Sequence, residues 1–143
     1  MKPARIKGQA HSTGVENIGP VCLDQAEHAI AQGLHASVLV ILDDQAVAAL
    51  EALAEPDLLL RLAAVFHQIR QLDRAEYYYR CVLERTPHAL ACINLAHICR
   101  FRGQVSEAIA LQRQALDMGA SDAGLLRDLG CSLIFMGEKQ ATG

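Results

Sequence analysis

Four side chains within a short stretch have the types that hold a transition metal: His88, Cys92, His97 and Cys99. Imidazole nitrogen and thiolate sulfur both suit zinc, and a closed structural site needs four such ligands converging on one point. Helical spacing argues against that convergence. Cys92 and Cys99 are seven residues apart and share a face with His88, whereas His97 is rotated away from them. The two cysteines are therefore expected to act as small buried hydrophobes, with no metal bound. The remaining thiols are Cys22, Cys81 and Cys131. Of these only Cys81, beside Arg80, has a neighbour of the kind that stabilises a thiolate. Asp43 and Asp44 are adjacent, so on a helix they face different ways and are better placed to cap it than to share a proton. No Gly-rich phosphate loop, nucleophile elbow or His-Glu-x-x-His motif occurs. The residues give no basis for an enzyme, and no cofactor is expected.

Composition narrows the classes further. The 143 residues are 52% hydrophobic but only 4% aromatic, with no Trp. Much of the apolar content is Ala and Leu, the strongest helix formers among apolar types, and small side chains favour close helix packing. A net charge of −3 lacks the basic face that a nucleic-acid binder needs to displace counterions from phosphates. An odd number of cysteines, five, with no Cys-x-x-Cys pair, reads as reduced thiols in a cytoplasmic protein. The longest apolar run, Val38 to Leu42, is far too short to span a bilayer. Neither a nucleic acid nor a membrane is expected as a partner.

The elements that must position these residues read as helices. Residues 1–20 carry Pro3, Gly8, Gly14, Gly19 and Pro20 without periodicity, and are expected to form a flexible tail. A helical period starts at Cys22 through Leu23, Ala26, Ala29 and Ile30, with a stop at Gly33. The segment Ser37 to Leu42 has the β-branched content of a strand but no partner strand, so tertiary context should make it helical. Asp43 or Asp44 should cap a helix that Pro56 ends, which makes 22–54 one degenerate helical hairpin. Further helices should begin at Pro56, near Asp73 as a cap, over 88–101, at Gln104 or Ser106, and at Ser121 or Asp122. The last should close at Gly137. Of the three consecutive tyrosines, Tyr79 should be core and Tyr77 or Tyr78 exposed.

A spaced pattern recurs along the second part of the chain. Leu59, Leu62, Ala63 and Phe66 are followed by Ala75, Tyr79 and Pro87; Cys92, Leu95, Ala96 and Cys99 by Gly103, Ala108 and Ala115; Leu126, Leu129, Gly130 and Leu133 by Gly137. The first anchors lie 33 and then 34 residues apart, a period that marks stacked repeats whose neighbours supply each other's core. Ala63, Ala75, Ala96, Ala108 and Gly130 fall where paired helices should come closest, and a larger side chain there would overpack.

Residues 56–137 thus resemble about two and a half tetratricopeptide (TPR) repeats. The second copy departs from the pattern at Gln112, where an aromatic is expected, and at Ala120, where Pro is expected. The resemblance implies an all-α fold, an antiparallel αα-hairpin solenoid wound as a right-handed superhelix. Its domain would cover 21–143: the hairpin 22–54, repeats 56–88 and 89–121, and a partial repeat 122–143. It also implies a concave groove lined by the first helix of each repeat, which in TPR proteins binds partner peptides. Carried across, the groove residues are Leu60, His67, Ile93, Asn94, His97, Arg100, Phe101, Arg127 and Phe135. His97, Arg100 and Arg127 beside Phe101 and Phe135 would suit an extended segment with an acid and an apolar anchor. Of the positions used by TPR domains that clamp a chaperone's terminal carboxylate, only Asn94 matches. Asn94 is instead expected to bond a backbone or ligand amide.

The function expected is a non-catalytic protein-binding module, an adaptor or chaperone comparable to small bacterial secretion helpers. Alternatives are the N-terminal repeat region of a larger enzyme such as a transferase, or a self-associating scaffold. The last would act through Leu126, Leu129, Leu133 and Ile134, an apolar stripe on the C-terminal helix available for homo-oligomerisation.

Overall fold

The computed structural model describes the backbone of residues 2–120 and 123–142, and side chains of residues 17–120, 124, 126–134, 136 and 137. Eight α-helices and no strand are present among the described residues. They are α1 (Lys2–Ala31), α2 (His35–Ile41), α3 (Asp44–Leu53), α4 (Pro56–Gln68), α5 (Leu72–Arg85), α6 (Ala89–Phe101), α7 (Val105–Asp117) and α8 (Ala123–Thr142). The all-α expectation therefore holds. The chain divides into two compact units, Met1–Gln71 and Leu72–Gly143. The division falls between α4 and α5, the two helices that the 33-residue pattern assigns to one copy.

In the first unit α1 packs against α2, α3 and α4. Its buried side chains Leu23, Ala26 and Ala29 join Val38, Leu42, Ala46, Val47, Leu50, Leu59, Leu62 and Phe66 in one core. Gly19 makes the α1–α3 packing possible, because a Cβ built there would lie 2.8 Å from Leu50 Cγ and 3.1 Å from the Leu50 backbone nitrogen. Arg61 on α4 reaches back to α1 with a forked guanidinium. Nε donates to Glu27 Oε2 at 3.0 Å, and Nη2 to Glu27 Oε1 and Asp24 Oδ1 at 2.6 Å each. The carboxylates hold the guanidinium charged, raising its pKa. The pair is partly exposed, so its planar fork sets register more than it adds stability.

Segment 1–20, expected as a tail, belongs to α1 from Lys2 onward, with Pro20 inside the helix. Proline removes one i→i−4 bond and penalises a helix without forbidding it, and the contact through Gly19 offsets part of that penalty. Residues 37–42 follow the expectation: the β-branched run lies in α2 and its end, with Val38 and Leu42 buried. Asp43 caps α3, its carboxylate accepting from the Ala46 N–H at 2.9 Å.

In the second unit α5 packs on α6, α6 on α7 and α7 on α8. Ala75, Ala96 and Ala108, like Ala63 in the first unit, have no exposed surface, as close helix packing requires. Gly130 departs from that expectation: among the described residues nothing lies within 4 Å of where its Cβ would be. Asp73 is not a cap but lies in the first turn of α5, which starts at Leu72. Its carboxylate takes Arg102 Nη2 at 2.5 Å, while Arg102 Nη1 bonds Glu76. Arg80 extends the network to Glu76 at 2.8 Å and to Glu107 at 2.5 Å, tying α5 to α7. Tyr79 and Tyr78 are buried and Tyr77 is exposed. The proposed caps Ser121 and Asp122 lie outside the described residues. Gly137 does not close the last helix, which runs on to Thr142. No positive φ is found there, and Glu138, Lys139, Gln140 and Ala141 are good helix formers.

Four helix ends share one geometry. After α1, α4, α6 and α7 a residue with positive φ is followed by an N–H that reaches back to the fifth carbonyl before it. The four bonds are Leu34 N to Ala29 O, Gln71 N to Phe66 O, Gln104 N to Cys99 O and Ala120 N to Ala115 O. The left-handed residue is Gly33, Gly103 or Gly119 in three cases and Arg70 (φ 66°) in the fourth. Such an end satisfies orphan carbonyls, and only glycine adopts it without a Cβ penalty.

Candidate functional site

The candidate surface is built on α6. Six of its residues (Ala91, Cys92, Leu95, Ala96, Ile98 and Cys99) face the core, leaving Leu90, Ile93, Asn94, His97, Arg100 and Phe101 on the other side. Helical spacing explains the split, since 93, 97 and 100 share one line and 90, 97 and 101 an adjacent one. Leu90 and Phe101 are exposed, Phe101 by 72%. Ile93, Asn94, His97 and Arg100 are half-buried.

His88, Cys92, His97 and Cys99 each have a structural role. Cys92 and Cys99 are buried and free. Burial pushes both thiols up, Cys99 to about 11 with Glu107 adding to the effect, so they remain protonated. His88 is the N-cap of α6, its Nδ1 accepting from the Ala91 N–H at 3.4 Å. His97 Nε2 lies 3.0 Å from Asp128 Oδ2 on α8. Among the described residues no group of three or more His, Cys, Asp or Glu side chains is placed to hold a metal ion. Cys81 is half-buried, and the Arg80 guanidinium beside it in sequence is bound to Glu76 and Glu107.

Asn94 bonds the Tyr79 phenol. A phenol with no exposed surface needs such a partner. Burial raises the Tyr79 pKa to about 12, with the Asn94 bond opposing the rise. Arg100 approaches Asp128 Oδ1 at 3.4 Å. That distance is long for a hydrogen bond, so His97 is the closer partner of this carboxylate. Asp128 therefore joins His97 and Arg100, partly neutralising the basic stripe expected from sequence.

Two hollows flank Arg100. One, of about 350 Å³, is lined by His97, Arg100 and Phe101. The other, of about 310 Å³, is lined by Arg100, Gly103, Val105, Cys131 and Ser132. The structure thus brings together His97, Arg100 and Phe101, with Asp128 from α8. Arg127 is exposed on α8. The Phe135 side chain lies outside the described residues. Leu60 and His67, both half-buried, belong to α4 in the first unit. Sequence reasoning missed Ser132; its only signal was the spacing to Asp128, one helical turn away on the same face.

No protein-family model matches the chain, and comparison with curated proteins finds no significant match. Among the described residues no helix is long and apolar enough to cross a membrane.

Proposed function

We propose that the chain is a non-catalytic, TPR-like interaction module that binds an extended partner segment, as an adaptor or chaperone does. The observation that carries this reading is the outer face of α6, where an exposed Phe101 adjoins Arg100 and His97 around one hollow. An aromatic ring and a guanidinium side by side are enriched at binding surfaces, where the ring supplies area and the cation supplies direction. The 33- and 34-residue spacing of Leu59, Cys92 and Leu126 supports the TPR-like assignment. Peptides selected from a displayed library on the full chain test the proposal. Their amide-shift footprint should centre on residues 90–101. A footprint confined to other helices would overturn it.

A second reading, self-association through α8, rests on one observation: Leu126, Leu133 and Ile134 are exposed on that helix. Light scattering across a concentration series tests it, and a mass that stays at one chain throughout would exclude it.

A further inference from the structure

We infer that the hollow between the end of α6 and α8 is a carboxylate subsite, taking an acidic group carried on a short apolar stem. Three features of the second unit meet there. Arg100 lines the hollow and is one-third exposed, and its one recorded partner among the described residues is Asp128 at 3.4 Å. A guanidinium has five N–H donors in a planar fork that matches a carboxylate, so most of its bonding capacity is open. Ser132 lines the same hollow, is only 3% exposed, and its Oγ has no hydrogen-bond partner among the described residues. A hydroxyl left unpartnered in a buried place costs stability, and rotation of the Ser132 side chain toward the hollow would let a ligand oxygen satisfy it. The third feature is the start of the thirteen-residue α7, where Gln104 supplies no side-chain cap. Gly103 and Val105, on either side of Gln104, line the hollow, so the positive end of the helix faces the same space.

The rest of the lining fixes the ligand's other end. Val105 and Cys131 offer apolar surface, and a volume of about 310 Å³ exceeds what a bare carboxylate fills. An acid with a small aliphatic body fits: the terminal carboxylate of a chain ending in a residue such as valine, or a glutamate side chain. The inference rests on the peptide-binding reading for the source of that acid.

The test uses the full chain and three probes: N-acetyl-valine, N-acetyl-valinamide, and the α-amide of N-acetyl-glutamate. The first presents a chain-end acid, the second removes the charge, and the third presents a side-chain acid. In amide-shift titrations at least one acid should saturate at residues 103–105 and 131–132, while the neutral amide should not. Which acid binds tighter identifies the source. Arg100→Gln should weaken binding at least tenfold, and Arg85→Gln, at the end of α5, should leave it unchanged. Ser132→Ala should weaken it several-fold while leaving the melting temperature equal or higher, since it removes an unpartnered hydroxyl. Asp128→Asn removes a competing carboxylate and should tighten binding several-fold. Equal shifts by acid and amide, no saturable shift at the hollow, or full acid binding by Arg100→Gln would overturn the inference. Selected peptides that bind residues 90–101 without touching the hollow would defeat the subsite alone. Acid binding in the hollow with no peptide ligand would instead defeat the peptide-binding reading.

Discussion

Burial decides the chemistry of single residues in this protein. The thiols of Cys92 and Cys99 and the phenol of Tyr79 all ionise later in the folded chain than in water, Cys99 at about 11 and Tyr79 at about 12. Between the unfolded and folded values the unfolded chain binds fewer protons than the native one, so stability falls as pH rises. The protein should therefore lose stability from about pH 9 upward, and Cys99→Ala should flatten that loss in denaturant titrations between pH 8 and 11. A slope unchanged by the substitution would show that Cys99 is not the responsible group. Gln112 is the opposite case. It is 1% exposed and its amide has no partner among the described residues, at the position where the repeat pattern expects an aromatic. Replacing it by Leu removes two unsatisfied polar atoms and should stabilise by about 1–3 kcal/mol, read as a higher denaturant midpoint. Destabilisation would mean that the amide has a partner or that the site does not accept the branched side chain.

At the scale of elements, junctions carry the fold, and they were legible in the sequence only where a residue type names its own role. Asp43 as a cap, Pro56 opening α4, and glycines 33, 103 and 119 at helix ends declare themselves by chemistry. Arg70 does not: an arginine carries no signal for a left-handed φ, so its equivalence to Gly103, 33 residues later, emerges only from the backbone. Arg70→Gly should relieve about 1 kcal/mol of strain and raise the melting temperature. A lower one would indicate that the side chain's own interactions outweigh the strain. Gly19 is illegible for a different reason, since a glycine beside a proline looks like a tail. Its meaning is the close approach of Leu50. Gly19→Val should overpack α1 against α3 and cost about 1–3 kcal/mol, and a melt equal to the parent's would contradict that packing. The site was legible to the same extent as these junctions. Helical spacing placed His97, Arg100 and Phe101 on one face, but the partnership of Asn94 with Tyr79 and the contribution of Ser132 depend on neighbouring helices that periodicity does not describe.

At the scale of the whole molecule, an Ala- and Leu-rich sequence forms, among the described residues, eight helices in two compact units, and α6 carries a surface that pairs a ring with a cation. The central claim is that this surface binds a partner segment. The most direct measurement is the affinity of a library-selected peptide for the parent chain and for Arg100→Glu and Phe101→Ala, with thermal melts of all three. Each substitution should weaken binding by about 1–3 kcal/mol, roughly five- to 150-fold, with melting temperatures unchanged. Full affinity retained by both variants would contradict the claim.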